Sequence, residues 1–104
     1  MKPLRFIGYS LEALKGFPNE ARRIAGHELW QVQRGLMSSD FKPMTSIGLG
    51  CYEIRVHLDG EWRVIYVAKF SNAVHVRHAF QKKTQATSRN DIVIAQRRYR
   101  AIGV

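Results

Sequence analysis

The chain is short of the residues on which covalent and metal chemistry usually depend. Cys51 is its one cysteine, so neither an internal disulfide nor a multi-cysteine zinc site can form. The four histidines, His27, His57, His75 and His78, include no HxxxH pair and have no carboxylate cluster beside them. Two-metal phosphoryl chemistry therefore lacks ligands. There is no GxSxG turn for a serine hydrolase, and no GxGxxG or Walker loop for a nucleotide. Long apolar runs are missing as well. The segment MKPLRFIGYS has no signal-peptide core, and nothing approaches a membrane span. The expectation is a cytoplasmic protein with no cofactor, no metal and no membrane partner.

Acidic residues are also scarce. Eight Asp+Glu stand against 17 Lys+Arg, a formal charge of +9 over 104 residues. The charge is concentrated, since residues 81–104 hold six Lys/Arg and a single Asp. Such a field attracts polyanions: nucleic acid first, then an acidic protein or an anionic membrane. A merely soluble basic protein is the plainer alternative. With 45% hydrophobic and 11% aromatic residues, the chain reads as one globular domain spanning 1–104, large enough to bury a core.

Periodicity divides the chain into elements. Leu4, Phe6 and Ile7 predict a short strand closed by Gly8, and Ser10 caps a helical turn over 11–15. Pro18 suits the first turn of a longer helix, in which Ala21, Ile24, Ala25, Leu29, Val32 and Leu36 form an apolar stripe. Gly35 loosens its end, and 38–50 reads as a loop. Three strands follow within 50–83. After Lys83, Ser88 with Asp91 three residues on caps a final helix carrying Ile92, Ala95, Tyr99 and Ile102 on one stripe. The order β-α-α-β-β-β-α predicts an α+β domain, an antiparallel sheet with helices packed on one face.

Parity sets the strand register. Tyr52, Ile54, Val56 and Leu58 alternate with Glu53, Arg55 and His57, and Trp62, Val64, Tyr66, Ala68 and Phe70 form the matching apolar set. A two-residue Asp59-Gly60 turn would oppose Val56 to Arg63 and bury mismatched partners. A three-residue loop over 58–60, with Gly60 left-handed, pairs apolar with apolar. It also sets Arg55 directly across from Arg63, and like charges so placed repel. A bound anion would relieve the pair, as would Glu53 with solvent; removing Arg63 would relieve it too. The third strand, after a turn at Ser71-Asn72, is ambiguous: Val74, Val76, His78 and Phe80 alternate with His75, Arg77 and Ala79.

Cations at strand centres suit phosphate. In metal-free RNA cleavage the 2′-OH attacks the adjacent phosphate, and the charge developing on its oxygens needs preorganised donors. Arginine supplies these bidentately and lysine as a point charge. His78 or His57 could move the proton, although either is equally readable as a structural or surface residue. Phe80 could stack on a base or serve the core.

The ordered set GCYEIRV, EWRVIYV, VRHAFQKKT and AQRRY, with FPNEARRIAGHELWQVQRG and FKPM upstream, resembles the RelE/ParE superfamily of toxin–antitoxin modules. It is most similar to the HigB-like, phage-derived branch. The resemblance implies a RelE-like fold and an mRNA endonuclease that enters the ribosomal A site and is silenced by a helix-turn-helix, HigA-like antitoxin. Carried over residue by residue, it matches Arg55, Arg63 and the Lys82–Lys83 pair to the family's basic residues and favours His78 or His57 for proton transfer. The candidate set is Arg55, Arg63, Lys82 and His78 for catalysis, with Lys83, His57, Arg77, Phe80 and Arg89 for RNA binding. Glu53 stands where some ribosome-dependent relatives have lysine. Tyr99, inside its helix, reads as a core residue and no counterpart to the relatives' C-terminal tyrosine. Two rivals remain: a ParE-like gyrase poison without nuclease activity, and a degenerate protein that only binds its antitoxin. Trp30, off the helical stripe, and the apolar side chains of 41–44 are expected to contact that partner.

Overall fold

The two alternating segments become the centre of the sheet. The computed structural model describes residues 1–68, 72–83 and 85–102, the last two by backbone alone. In chain order it contains β1 (Leu4–Phe6), α1 (Ser10–Lys15), α2 (Asn19–Gln33), β2 (Phe41–Pro43), β3 (Cys51–His57), β4 (Glu61–Val67), β5 (Val74–Gln81) and α3 (Arg89–Ile102). The α+β class and the expected order hold, with one strand added. That strand, β2, lies inside the stretch read as a loop and pairs Phe41, Lys42 and Pro43 with Ile54, Glu53 and Tyr52. Proline is tolerated there because β2 is an edge: the neighbouring ladder bond comes from the Met44 N–H to the Cys51 carbonyl (2.8 Å). The sheet order is β1-β5-β4-β3-β2, and it is mixed because β1 joins β5 in parallel.

The β3–β4 register is the one parity demands. Val56 opposes Trp62, Ile54 opposes Val64, Tyr52 opposes Tyr66 and Arg55 opposes Arg63. The three-residue loop differs from expectation in one detail. Asp59 takes the left-handed conformation (φ 51°), while Gly60 sits at φ 125°, a region open in practice to glycine alone.

Between β4 and β5 the pairing steps from Tyr66↔Val76 to Ile65↔His78, which leaves Arg77 as the extra residue of a β-bulge. This explains why the third strand had no readable parity: its inward positions are Val74 and Val76 before the bulge and Ala79 after it.

Two cores result. On one face α1 and α2 cover Ile54, Val56, Val64, Tyr66, Val74 and Val76 with Leu14, Phe17, Ala21, Ala25, Leu29 and Val32. On the other, α3 places Ala95, Ile92 and Tyr99 over Cys51, Ile65, Val67 and Phe80. The helices thus flank the sheet on both faces instead of one. The reason lies in composition: one end of the second face is apolar and needs cover, while the other carries Glu53, Arg55 and Arg63. Cys51 lies in that apolar end, its thiol pushed up to about 12 by burial, which makes it inert.

Local signals mostly acted as expected. The Ser88 hydroxyl accepts from the Asp91 N–H (3.1 Å) and donates to the Asp91 carboxylate (2.6 Å), opening α3. Ser10 caps nothing; its hydroxyl donates instead to the Val76 carbonyl (3.2 Å). α2 ends in a Schellman turn, with Gly35 at φ 86° and the Leu36 N–H bonded to the Gln31 carbonyl (3.0 Å). Leu36 is thereby thrown off the stripe and left exposed. Phe70, Ser71 of the expected turn and the Ile102 side chain lie outside the described residues. Among the described residues no helix is long and apolar enough to cross a membrane.

Candidate active site

The bulge at Arg77 assembles the site. Past it, β5 presents His78, Phe80 and Lys82 on the face that carries Glu53, Arg55, Glu61 and Arg63, because Ile65 faces His78 and Arg63 faces Phe80. Without the extra residue these three would lie on the opposite face. Lys82 is then fixed at the strand end by its N–H, which donates to the Glu61 carbonyl (2.7 Å). On the far side Lys42 is the direct cross-strand partner of Glu53.

These residues border a cleft of about 420 Å³ lined by Lys42, Glu53, Arg55, Lys82, Gln85 and Thr87 among others. Its remaining wall is the chain after β2, from Met44 to Ser46. α3 pins this wall through Gln96 Nε2 to the Ser46 carbonyl (2.8 Å) and the Tyr99 hydroxyl to the Leu49 carbonyl (2.9 Å). Gly48 is required there, since a Cβ would overlap the Tyr99 ring. Tyr99, read as a core residue, therefore also anchors the loop that follows this wall.

The arginine pair is held by an internal anion. Glu53 Oε1 lies 3.6 Å from both Arg55 Nε and Arg63 Nε, and Oε2 accepts from the Thr87 hydroxyl (3.1 Å). The 3.6 Å contacts are ion pairs, too long for hydrogen bonds. Accordingly, both buried Nε groups are without a hydrogen-bond partner among the described residues. The two arginines differ in access. Arg55 keeps 31% of its side chain exposed and lines the cleft, whereas Arg63 keeps 3% and spends Nη2 on Glu61 (3.0 Å) and Nη1 on the Trp62 carbonyl (3.0 Å). Arg63 reaches the cleft only through Glu53, as a positioning group.

Several residues read from sequence as functional are placed elsewhere. His78 is buried under α3, with Nε2 bonded to Asp91 (2.7 Å) and its ring stacked on Phe80 (4.9 Å). Burial holds it below the ordinary histidine range despite Asp91, and it is not among the residues that line the cleft. Phe80 belongs to the second core cluster and offers no open ring for a base. Arg77 is fully buried: Nη1 donates to the Arg98 carbonyl, its charge lies over the Tyr99 ring, and burial pushes it down to about 10. It holds α3 to the bulge and is closed to RNA. Lys83 and Arg89 are exposed beyond β5 and at the start of α3, free to meet a polyanion. Met44, expected at a partner surface, is buried in the second core, while Trp30 and Phe41 are exposed as expected.

His57 sits at the mouth of the hairpin between two carboxylates. Nδ1 meets Glu61 at 2.7 Å and Nε2 meets Asp40 at 2.6 Å, so both ring nitrogens face acceptors and the imidazolium is favoured. The hydrogen bond to Glu61, then that to Asp40, raises its pKa. A raised folded value stabilises the protein below the ordinary histidine range, and this is lost as pH rises through the folded value. The melting-temperature advantage of wild type over His57→Gln is thus expected at about pH 5–6 and to shrink as pH rises above the ordinary histidine range. A difference that does not change with pH would mean the clamp is not ionic.

Lys42, Gln85 and Thr87 escaped sequence reading because they lie in segments with no periodic signal. The cation beside a proline in FKPM was the single available cue. The whole defines a class: a small mixed-sheet domain with a cationic cleft at one end of the face that its last helix leaves uncovered. Residues 12–100 match the family model described as phage-derived protein Gp49-like (DUF891). The chain belongs to that family, which is part of the RelE/ParE/HigB toxin superfamily. A comparison with curated proteins gives no match. Membership in a toxin family implies an antitoxin partner.

Proposed function

We propose that this chain is the toxin of a type II toxin–antitoxin module, a ribosome-dependent, metal-independent mRNA endonuclease. The observation that carries the reading is the cleft itself: Lys42, Arg55 and Lys82 surround one recessed carboxylate, Glu53. Three cations suit a phosphodiester, and Glu53 is the one carboxylate among the described residues lining the cleft. The role read for His78 is given to it because Glu53, with only 2% of its side chain exposed, borders the cleft and His78 does not. Glu53 accepts the proton of the 2′-OH, and the 2′-oxygen bonds to phosphorus as the bond to the 5′-oxygen breaks. Lys82 returns a proton to the leaving oxygen, since a guanidinium keeps its own. The products are a 2′,3′-cyclic phosphate and a 5′-hydroxyl. Arg55 stabilises the charge on the non-bridging oxygens.

The test is primer extension on an mRNA under translation. Wild type is expected to cut within codons, and Arg55→Ala to slow single-turnover cleavage about 100- to 1,000-fold. DNA synthesis stopping first, with mRNAs intact, would replace this reading with gyrase poisoning.

One observation favours a second reading. Glu53 already offsets part of the charge of Arg55 and Arg63, an arrangement compatible with a protein that only binds its antitoxin.

A further inference from the structure

The outer face of α2 carries a pattern that neither the core nor the cleft explains. Arg23, His27, Trp30 and Arg34 recur at three- and four-residue spacing and are all exposed, with Arg22 and Gly26 beside them. The inner face of α2 packs on the sheet, so this stripe points away from it, on the side opposite the cleft. Trp30 is 42% exposed. The Arg34 guanidinium lies 4.6 Å from the centre of its ring, and the His27 ring lies 5.8 Å away, tilted by 41°. Side chains on a helix lean toward its N-terminus, so the indole reaches back over the turn that holds Gly26 and His27. Gly26 is the unexpected member. Its backbone is not left-handed, and a Cβ there would meet no heavy atom within 4 Å. Glycine weakens a helix interior, and here neither packing nor backbone conformation calls for it. It leaves bare helix backbone one turn before an exposed indole.

The cations around this patch have weak local ties. Arg23 pairs with Glu20 at 2.8 Å, but both side chains are mostly in solvent, where such a pair contributes little. Arg22 bonds Asn19 and the Lys15 carbonyl, and Arg34 bonds Gln31; none of these partners carries a charge. The stripe thus joins an exposed indole to arginines and includes no exposed aliphatic side chain. The centre of a protein interface is apolar, with charge at its rim. Single-stranded nucleic acid asks for the reverse, a ring for a base and cations for the phosphates on either side. The base must be unpaired, and RNA offers such bases in loops and single strands where duplex DNA does not.

We propose that the outer face of α2 is a second RNA-binding site. One unpaired base stacks on Trp30 over the bare backbone at Gly26, and Arg22, Arg23 and Arg34 hold the flanking phosphates. The cleft lies on the other side of the sheet, so the RNA segment held here is a different one from that in the cleft. The site goes beyond the nuclease reading and stands without it, since it binds RNA and does not cut it.

The test is fluorescence titration of the full chain with a 2′-O-methyl adenosine decamer, which lacks the hydroxyl that cleavage requires. The second indole, Trp62, is bonded to the Leu58 carbonyl (3.0 Å) and packed on Phe17, and serves as a constant background. The decamer is expected to quench the indole emission of wild type and not that of Trp30→Ala. Gly26→Leu fills the bare patch and favours the helix. It is expected to melt at or above the wild-type temperature, yet to raise the quenching midpoint about tenfold or more. Arg34→Gln is expected to raise the midpoint about threefold and to lower the slope of log affinity against log salt by about 0.7. Arg55→Ala, in the cleft, should leave the midpoint within about threefold of wild type. Quenching that persists in Trp30→Ala, a wild-type midpoint in Gly26→Leu, loss of quenching in Arg55→Ala, or equal quenching by duplex DNA of the same length overturns the inference. Wild-type emission unchanged by RNA overturns it too, and if Trp30→Ala then weakens binding of the antitoxin, the face belongs to a protein partner. Each of these results leaves the nuclease reading to its own test.

Discussion

Glu53→Gln is expected to slow single-turnover mRNA cleavage on ribosomes by about 100- to 10,000-fold, the usual range for losing a positioned proton acceptor. Glutamine keeps the shape and can still accept from Thr87, but it cannot take the 2′-OH proton. The measurement also separates the two readings of this carboxylate. As an internal plug of the arginine pair, Glu53 would hold RNA off, and its replacement would tighten RNA binding with no cleavage before or after. As the proton acceptor, its replacement abolishes cleavage and leaves binding intact or stronger. Cleavage within about threefold of wild type would move the proton to another group.

Arg63→Ala is expected to destabilise the fold by about 3–5 kcal/mol, measured by urea denaturation, because it removes a partner from a buried carboxylate. Parity alone points the other way. With Arg55 and Arg63 opposed, removing one cation should relieve repulsion. The sign reverses because Glu53 sits 3.6 Å from both, and Glu61 bonds the Arg63 guanidinium as well. A denaturation midpoint equal to or above wild type would restore the repulsion-dominated view. Loss of cleavage in this variant is read only beside its stability, since Arg63 acts through Glu53.

The hairpin shows how far periodicity reaches. Alternation with one loop-length choice yielded every β3–β4 pair, because a slip of one residue would bury charges and expose Ile54 and Val64. The Ser88–Asp91 cap and the α2 stripe were legible for similar reasons: each is a local pattern within a few residues. β2 was not, since three residues around a proline carry no period and become a strand only by pairing with β3. Nor was the placement of α3, whose apolar stripe would fit either face of a sheet.

The candidate site divides along the same line. Residue order alone placed Arg55 and Arg63 in paired strands with Lys82 just past the next one, and gave the basic charge that favours a polyanion. Chain periodicity and composition are local properties, and they determined the elements, the central register and the sign of the field. Tertiary structure decided which groups meet. A single unpaired residue, Arg77, shifts the parity of β5 and brings Lys82 to the face of Arg55. Burial beneath α3 sets His78 outside the lining of the cleft, and the pairing of β3 with β4 puts Glu53 3.6 Å from two arginines. Desolvation and ion pairing depend on distances across the fold, which no spacing along the chain encodes.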